Sequence, residues 1–288
     1  MNYLPYIWVL LAAMLWGTTG TAQSFIEGDA HPLTIGAMRL GIGGFTLLAF
    51  VLLAKKMSWK EIPWKAVLVS AALMALFQPL FFSSVQLTGI AIGTVASIGS
   101  APVFLGLLEW LIMKRRPDRV WAAATASAIA GCLLLFSDKQ AAVIDPFGIV
   151  LALGAGLSFA GYAISSKKVL DRMDAVPAGA VIFSLGALAL LTFLGVLDIS
   201  YLAHPGNLAV LVYLGIGATS LSYILFSRGL KSIPSSSAVT LSLGEPLTAA
   251  LLGVFIVGER LSAVSWAGVL LLLGGILILT FAKKKTAF

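Results

Sequence analysis

The stretch Phe226–Arg260, FSRGLKSIPSSSAVTLSLGEPLTAALLGVFIVGER, decides the fold, because the chain carries a second version of it 144 positions earlier. Phe82-Ser83 falls under Phe226-Ser227, Pro102 under Pro246, Leu107-Leu108 under Leu251-Leu252 and Arg116 under Arg260. Beyond the stretch, Val120, Ala123 and Gly131 fall under Val264, Ala267 and Gly275. The two prolines weigh most, since proline inside an apolar helical run disrupts the hydrogen-bond ladder and is used sparingly. A self-match at one fixed offset predicts an internal duplication.

Working outward, the whole chain divides into apolar runs of the length that crosses about 30 Å of hydrocarbon. Ten spans are expected: 5–24, 33–54, 63–87, 91–113, 119–137, 146–168, 177–197, 206–230, 235–256 and 262–282. The first lacks a basic leader and a cleavage site, so it reads as a span and not as a signal peptide. Lys and Arg set the orientation. With a cytoplasmic N-terminus, sixteen of them fall in inner connections and the tail (Lys55, Lys56, Lys60, Lys65, Lys114, Arg115, Arg116, Arg119, Lys167, Lys168, Arg172, Arg228, Lys231 and Lys283 to Lys285), against Lys139 and Arg260 outside. Both termini are therefore expected in the cytoplasm. The duplication then gives repeats at 5–137 and 146–282 within one domain covering 1–288. Five spans per repeat is an odd number, so the halves enter the membrane in opposite senses. The expected fold class is an all-α integral membrane protein of ten transmembrane helices in two inverted five-helix repeats, an arrangement associated with alternating access and a site at mid-depth.

Composition excludes other classes. Of 288 residues 59% are hydrophobic and 11% charged, with a mean hydropathy of +1.01; soluble proteins carry about a quarter charged residues. The net charge of +7 lies in short clusters between apolar runs, where it meets anionic lipid headgroups and not nucleic acid. Cys132 is the only cysteine, so no internal disulfide or cysteine metal site is expected. His31 and His204 each precede a proline in outer connections and read as helix-entry residues, with no metal role. No Walker A sequence, HExxH or GxSxG occurs, so no cofactor, ATPase subunit or enzymatic site is implied.

Residues at mid-span carry the functional reading. Trp8, Trp59, Trp64, Trp110, Trp121 and Trp266 lie near span ends as interfacial anchors, whereas Trp16 lies near the middle of the first span, opposite Phe159 in the sixth. Each is either a packing residue or the wall of a central cavity. Glu245 sits mid-span before Pro246; a carboxylate there costs roughly 2.5–3.5 kcal/mol to insert. It either serves an ammonium group or a proton, or fixes helix packing through hydroxyls. Pro79, Pro102 and Pro246 are expected to bend their helices, and Pro246 to leave the Ser242 carbonyl free. Gln78 is expected to face a cavity, and Ser97, Ser100 and Ser242 offer hydroxyls beside glycines. Arg39 is expected to snorkel toward Glu27 or Asp29, with binding of a carboxylate as the alternative. Glu109 is expected to pair with Lys114. Gly41, Gly43, Gly44, Gly274 and Gly275 are assigned to packing.

Trp16-Gly17, Pro102, Glu245-Pro246 through Gly258-Glu259-Arg260-Leu261, Trp266-Ala267-Gly268 and Gly274-Gly275 together resemble the drug/metabolite transporter superfamily, in its ten-helix form with two EamA-type repeats. The likeness covers essentially the whole chain. It departs in the first repeat, where Lys114-Arg115 replaces the usual Gly-Glu. The resemblance implies a basket of helices around a cavity, with helices 5 and 10 peripheral, in a bacterial inner membrane. Its branches export amino acids and other metabolites, expel drugs or exchange sugar phosphates. The chain looks most similar to the amino-acid exporters of the YddG and threonine-exporter kind, and only Arg39 is available for a phosphate. The expectation is export of neutral and aromatic amino acids through a cavity lined by Trp16, Gln78, Phe82, Ser97, Ser100, Phe159, Tyr162, Tyr223, Ser242 and Glu245. Drug or lipophilic-cation export is the alternative, and a scaffold without flux is the rival outside transport.

Overall fold

A computed structural model describes residues 3–28, 30–114, 116, 118–135, 137, 145–192, 198–257 and 260–281. Among them are ten apolar helical segments and no strand: α1 (Leu4–Gln23), α2 (Pro32–Leu53), α3 (Trp64–Thr88), α4 (Ile90–Met113), α5 (Arg119–Leu135), α6 (Pro146–Leu170), α7 (Ala175–Leu191), α8 (Pro205–Ser232), α9 (Ser235–Phe255) and α10 (Ala263–Phe281). Eight are long and apolar enough to cross a membrane, while α5 and α7 are shorter apolar helices. Lys139, Arg115, Gly258, Glu259 and Lys283 to Lys285 lie outside the described residues, as does Asp29.

The helix starts follow local chemistry. Proline occupies the opening turn of α1, α2, α6 and α8, where its missing N–H would have been unpaired anyway. His31 Nδ1 accepts the Leu33 N–H at 3.2 Å, which makes it the cap of α2. Asp118 and Asp145 cap α5 and α6 by accepting the N–H groups of Trp121 at 2.6 Å and Phe147 at 2.8 Å. Within the helices, Ser and Thr hydroxyls mostly donate back to their own helix; Ser84, Thr88, Ser158, Thr248 and Thr280 bond carbonyls three or four residues earlier. Large apolar side chains cover the outside as well as the core, among them Leu53, Leu68, Leu111, Leu133, Phe147, Phe255 and Leu270. A helix apolar all round belongs in lipid.

The helices pack in corresponding sets. α3 lies along α6 as α8 lies along α1, and α4 meets α6 as α9 meets α1. α2 pairs with α7, and α5 pairs with α10 at the periphery of the bundle. The correspondence extends to single contacts. A Cβ on Gly131 would fall 2.7 Å from Gly268 O and 2.5 Å from Leu272 N. Adding 144 to Gly131 gives Gly275, whose Cβ would fall 2.6 Å from Ala124 O and 2.9 Å from Ala128 N; 124 and 128 are 268 and 272 shifted back by the same 144. Likewise Gly215 closes on Ile42 Cβ at 2.6 Å, while Gly186 closes on Ala71 O at 3.3 Å, and 71 and 186 are 215 and 42 related by the same 144.

Several sequence expectations need correction here. Trp121 is no interfacial anchor: it is 9% exposed, packs on Gly106 and donates its indole N–H to Thr240 Oγ1 at 3.0 Å. Glu109 and Lys114 share no side-chain ion pair. Lys114 instead takes a left-handed conformation (φ 56°) and its main-chain N–H closes α4 on Glu109 O. Gly274 has open space where a Cβ would go, so it performs no close packing, unlike its neighbour Gly275.

Candidate functional site

Two helices are interrupted at depth, and the interruptions adjoin. α1 breaks at Thr18, directly after Trp16-Gly17. The Thr18 hydroxyl bonds Leu15 O at 2.7 Å, and its N–H reaches the same carbonyl at 3.3 Å. α9 breaks at Ser242-Leu243, where Leu243 N–H bonds Thr240 O at 3.1 Å and Glu245 N–H bonds Ser242 O at 2.9 Å. The Ser242 carbonyl is therefore not free as expected. The chain tightens into a three-residue turn before Pro246, and Glu245 supplies the donor that proline cannot. α3 and α4, by contrast, run on as helices through Pro79 and Pro102. Gly17 joins the two breaks: a Cβ there would stand 2.7 Å from Glu245 O and 2.6 Å from Thr248 Cβ.

Around this junction the rings expected to line a cavity pack on one another. Trp16 meets Tyr223 at 4.8 Å between centroids, Phe226 at 5.3 Å and Phe159 edge-on at 5.9 Å. Tyr162 lies 5.8 Å from Tyr223 and 6.2 Å from Phe159. Phe183 closes the group against Tyr223 at 4.8 Å, and Phe77 against Phe159 at 5.7 Å. The sequence reading named Trp16, Phe159, Tyr162 and Tyr223 but not Phe226, Phe183 or Phe77. Phe226 had a signal, being the repeat counterpart of Phe82; the other two look like ordinary core phenylalanines in a sequence.

The polar members divide. Gln78 is 1% exposed; its Nε2 reaches Met74 S at 3.9 Å, the same sulfur that Tyr223 Oη approaches at 3.6 Å. Gln78 Oε1, Trp16 Nε1 and Ser97 Oγ are buried without a hydrogen-bond partner among the described residues. Such atoms cost free energy unless something polar meets them. Ser100 instead bonds Ser97 O at 3.1 Å and packs on Gly156, and Ser242 Oγ bonds Val239 O at 2.6 Å. Both hydroxyls are used inside their own helices. Glu245 lies partly buried in the opening turn after the α9 break. Its carboxylate makes no hydrogen bond or ion pair with the described residues.

Arg39 is the residue most altered by the structure. It does not snorkel. It is 6% exposed, donates Nε–H to Thr219 Oγ1 at 3.1 Å and Nη2–H to Ala218 O at 3.3 Å, and lies 6.0 Å from the centre of the Phe82 ring. Glu27, its expected partner, instead meets His204 at 3.6 Å and accepts nothing from Arg39. The reason is the middle of α8, where Ile216–Leu221 widens into a π-helical turn. The turn shifts the hydroxyls of Thr219 and Ser220 onto carbonyls five residues back, Leu214 O at 2.8 Å and Gly215 O at 3.1 Å. It presents Thr219 Oγ1 and Ala218 O inward, where π-helical bulges commonly serve function. The described residues contain no cluster of His, Cys, Asp or Glu that would hold a metal.

Two cavities open on the outside of the bundle, away from these groups. One, of about 330 Å³, is an apolar groove between α4 and α5 beside Trp110 and Trp121, of the kind a lipid chain fills. The other, about 400 Å³, lies among Trp64, Lys65, Lys168 and Arg172. Neither reaches the aromatic cluster, and neither bears on it.

Comparison with known proteins agrees with this architecture. The EamA-like transporter family matches the chain twice, at residues 4–137 and 146–281. An uncharacterised transporter, YwfM of Bacillus subtilis, is 48% identical over 98% of this chain and 96% of its own length. The threonine/homoserine exporter RhtA of Escherichia coli K12 is 28% identical over 99% of this chain and 92% of its own. One solved structure superposes with a TM-score of 0.81 at 20% identity, covering 96% of each chain, which is a likeness of fold.

Proposed function

Because the chain belongs to the EamA-like transporter family and is an integral multi-pass membrane protein, we propose that it exports amino acids, neutral and aromatic ones included, by alternating access. The observation that carries this reading is the junction of two broken helices, α1 and α9, beside a buried aromatic cluster and flanked by Glu245 and Arg39. Broken helices at mid-depth offer backbone and side-chain polarity to a substrate without exposing either to lipid. The rings offer apolar contact to a side chain. The relation to a threonine/homoserine exporter over nearly the full length supports the same substrate class. The reading includes two inverted repeats, 5–137 and 146–282, in a bacterial inner membrane with both termini cytoplasmic. The paired glycine contacts and the sixteen-to-two distribution of Lys and Arg support it.

In the conformation described, the rings touch and close the centre, so transport requires Trp16 to part from Phe159, Tyr223 and Phe226. The test is counterflow in proteoliposomes preloaded with mixed amino acids and challenged with labelled ones. Accumulation of label is expected. Its absence, with another metabolite moved by the same folded protein, removes the amino-acid reading. One observation favours a second reading: a Glu245 carboxylate without a salt bridge among the described residues, in a bundle that also holds the aromatic cluster, suits a lipophilic cation as well. That reading expects Glu245→Gln to abolish resistance to cationic dyes in cells.

A further inference from the structure

Arg39 carries more hydrogen-bonding capacity than its surroundings use. A guanidinium has five N–H donors, and Arg39 places two of them, one on a hydroxyl and one on a carbonyl. Both partners are neutral. No carboxylate among the described residues stands within salt-bridge distance of it, although it is almost fully buried. A cation held this way in a membrane bundle is costly to insert, and a purely structural role would be met by an acidic partner or by an apolar side chain. The π-helical turn and the Phe82 face fix the plane of the guanidinium and leave the fork at its far edge unspent. That fork is the geometry that binds a carboxylate through two parallel hydrogen bonds.

The neighbouring residues supply the complement. Gly36, one turn before Arg39, lets α2 approach α3 so that a Cβ would stand 3.0 Å from Gln78 Cβ and 3.6 Å from Gln78 Oε1. That oxygen is a buried acceptor with no partner among the described residues. The Glu245 carboxylate stands beyond salt-bridge distance of Arg39 and makes no hydrogen bond or ion pair with the described residues. An anion-binding fork together with unsatisfied acceptors is the equipment that receives a zwitterion.

We propose that Arg39 is the anchor for the carboxylate of the transported substrate, with Glu245 and the Gln78 oxygen receiving its ammonium group. This rests on the amino-acid reading above and extends it by assigning the two ends of the substrate. Thr219 is then a positioning residue, acting through Arg39.

The test uses three probes with one side chain: L-phenylalanine, 3-phenylpropionate, which lacks the ammonium, and 2-phenylethylamine, which lacks the carboxylate. Each competes for counterflow of labelled L-phenylalanine in proteoliposomes. In the wild type, phenylalanine is expected to compete best, phenylpropionate next and phenylethylamine least. Arg39→Lys keeps the charge but loses the fork, and is expected to raise the half-inhibiting phenylalanine concentration roughly 10- to 100-fold, the size of a lost charge-assisted hydrogen bond. It should also erase the preference for phenylpropionate over phenylethylamine. A wild type in which phenylethylamine competes as well as phenylalanine overturns the assignment with no variant needed, as does an Arg39→Lys protein that keeps the acid preference. If labelled phenylalanine is not carried, ligand-induced thermal stabilisation of the detergent-solubilised protein separates the two ideas. Stabilisation by phenylpropionate that Arg39→Lys removes sustains the anchor and discards amino-acid export. Stabilisation by phenylethylamine alone, or by none of the three, discards both.

Discussion

Gly17 and Glu245 are best considered at the scale of single residues. Gly17 is needed because a side chain there has nowhere to go: its Cβ would meet both a carbonyl oxygen and Thr248 inside normal contact distance. Gly17→Ala therefore forces α1 and α9 apart at their breaks, and overpacking of this kind costs about 1–3 kcal/mol. The expected outcome is a thermal midpoint in detergent lowered by several degrees, with counterflow reduced further than stability alone explains, since the displaced groups are those of the proposed site. An unchanged midpoint and full flux would mean that the junction yields freely and is not where substrate sits. Glu245 makes a separate prediction about coupling. If its carboxylate takes up and releases the proton that drives export, an imposed pH gradient speeds wild-type counterflow, and Glu245→Gln removes that acceleration while substrate still exchanges. A Gln variant that keeps the full response to pH places the coupling elsewhere.

Among elements, α5 and α10 give the cleanest comparison, because adjacent glycines on α10 have opposite surroundings. Gly275 lies against the backbone of Ala124 and Ala128, whereas nothing stands within 4 Å of where a Gly274 Cβ would be. Gly275→Ala is expected to destabilise by about 1–3 kcal/mol, and Gly274→Ala to stabilise slightly, by about 0.4–1 kcal/mol, through the lost flexibility of glycine. Gly131→Ala should match Gly275→Ala, since its contacts are the same ones shifted by 144. Thermal melts of the three variants decide it, and equal effects at 274 and 275 would remove the close packing as the cause. The sequence could not separate these two glycines, because periodicity tells which residues are helical but not which side of a helix meets a partner. The same limit explains Arg39. Its depth along α2 was legible, and snorkelling followed from depth alone; the π-helical turn that receives it lies 180 residues later and leaves no mark in composition. The spans themselves were legible to within a few residues, because hydropathy and the charged connections report on lipid directly. The break in α9 had Pro246 as its signal. The break in α1 had only Gly17 and two threonines.

For the molecule as a whole, the duplication makes the strongest demand. Ser127 Oγ donates to Leu271 O at 2.9 Å, and 127 and 271 are equivalent positions under the 144 shift. A residue that touches its own counterpart lies on the axis relating the two copies, as in a two-fold interface between identical subunits. The offset legible in Phe226–Arg260 thus reappears as geometry in a part of the chain where few residues are identical. If the copies are inverted, that axis lies in the membrane plane, and equivalent positions face opposite sides of the bilayer. Ser58 follows α2, and Ser200 follows the corresponding α7. Single cysteines at these two sites, on a Cys132→Ser background, test the relation in intact cells with a membrane-impermeant maleimide. Ser200→Cys is expected to label from outside, and Ser58→Cys only after the membrane is opened. Labelling of both from the same side would make the repeats parallel, would set aside the orientation drawn from Lys and Arg, and would leave alternating access in need of a different symmetry. Opposite labelling places Trp16 and Phe159 on two halves that exchange roles as the protein turns between its faces. The ring contact between them at 5.9 Å would then be the seam that opens in either direction.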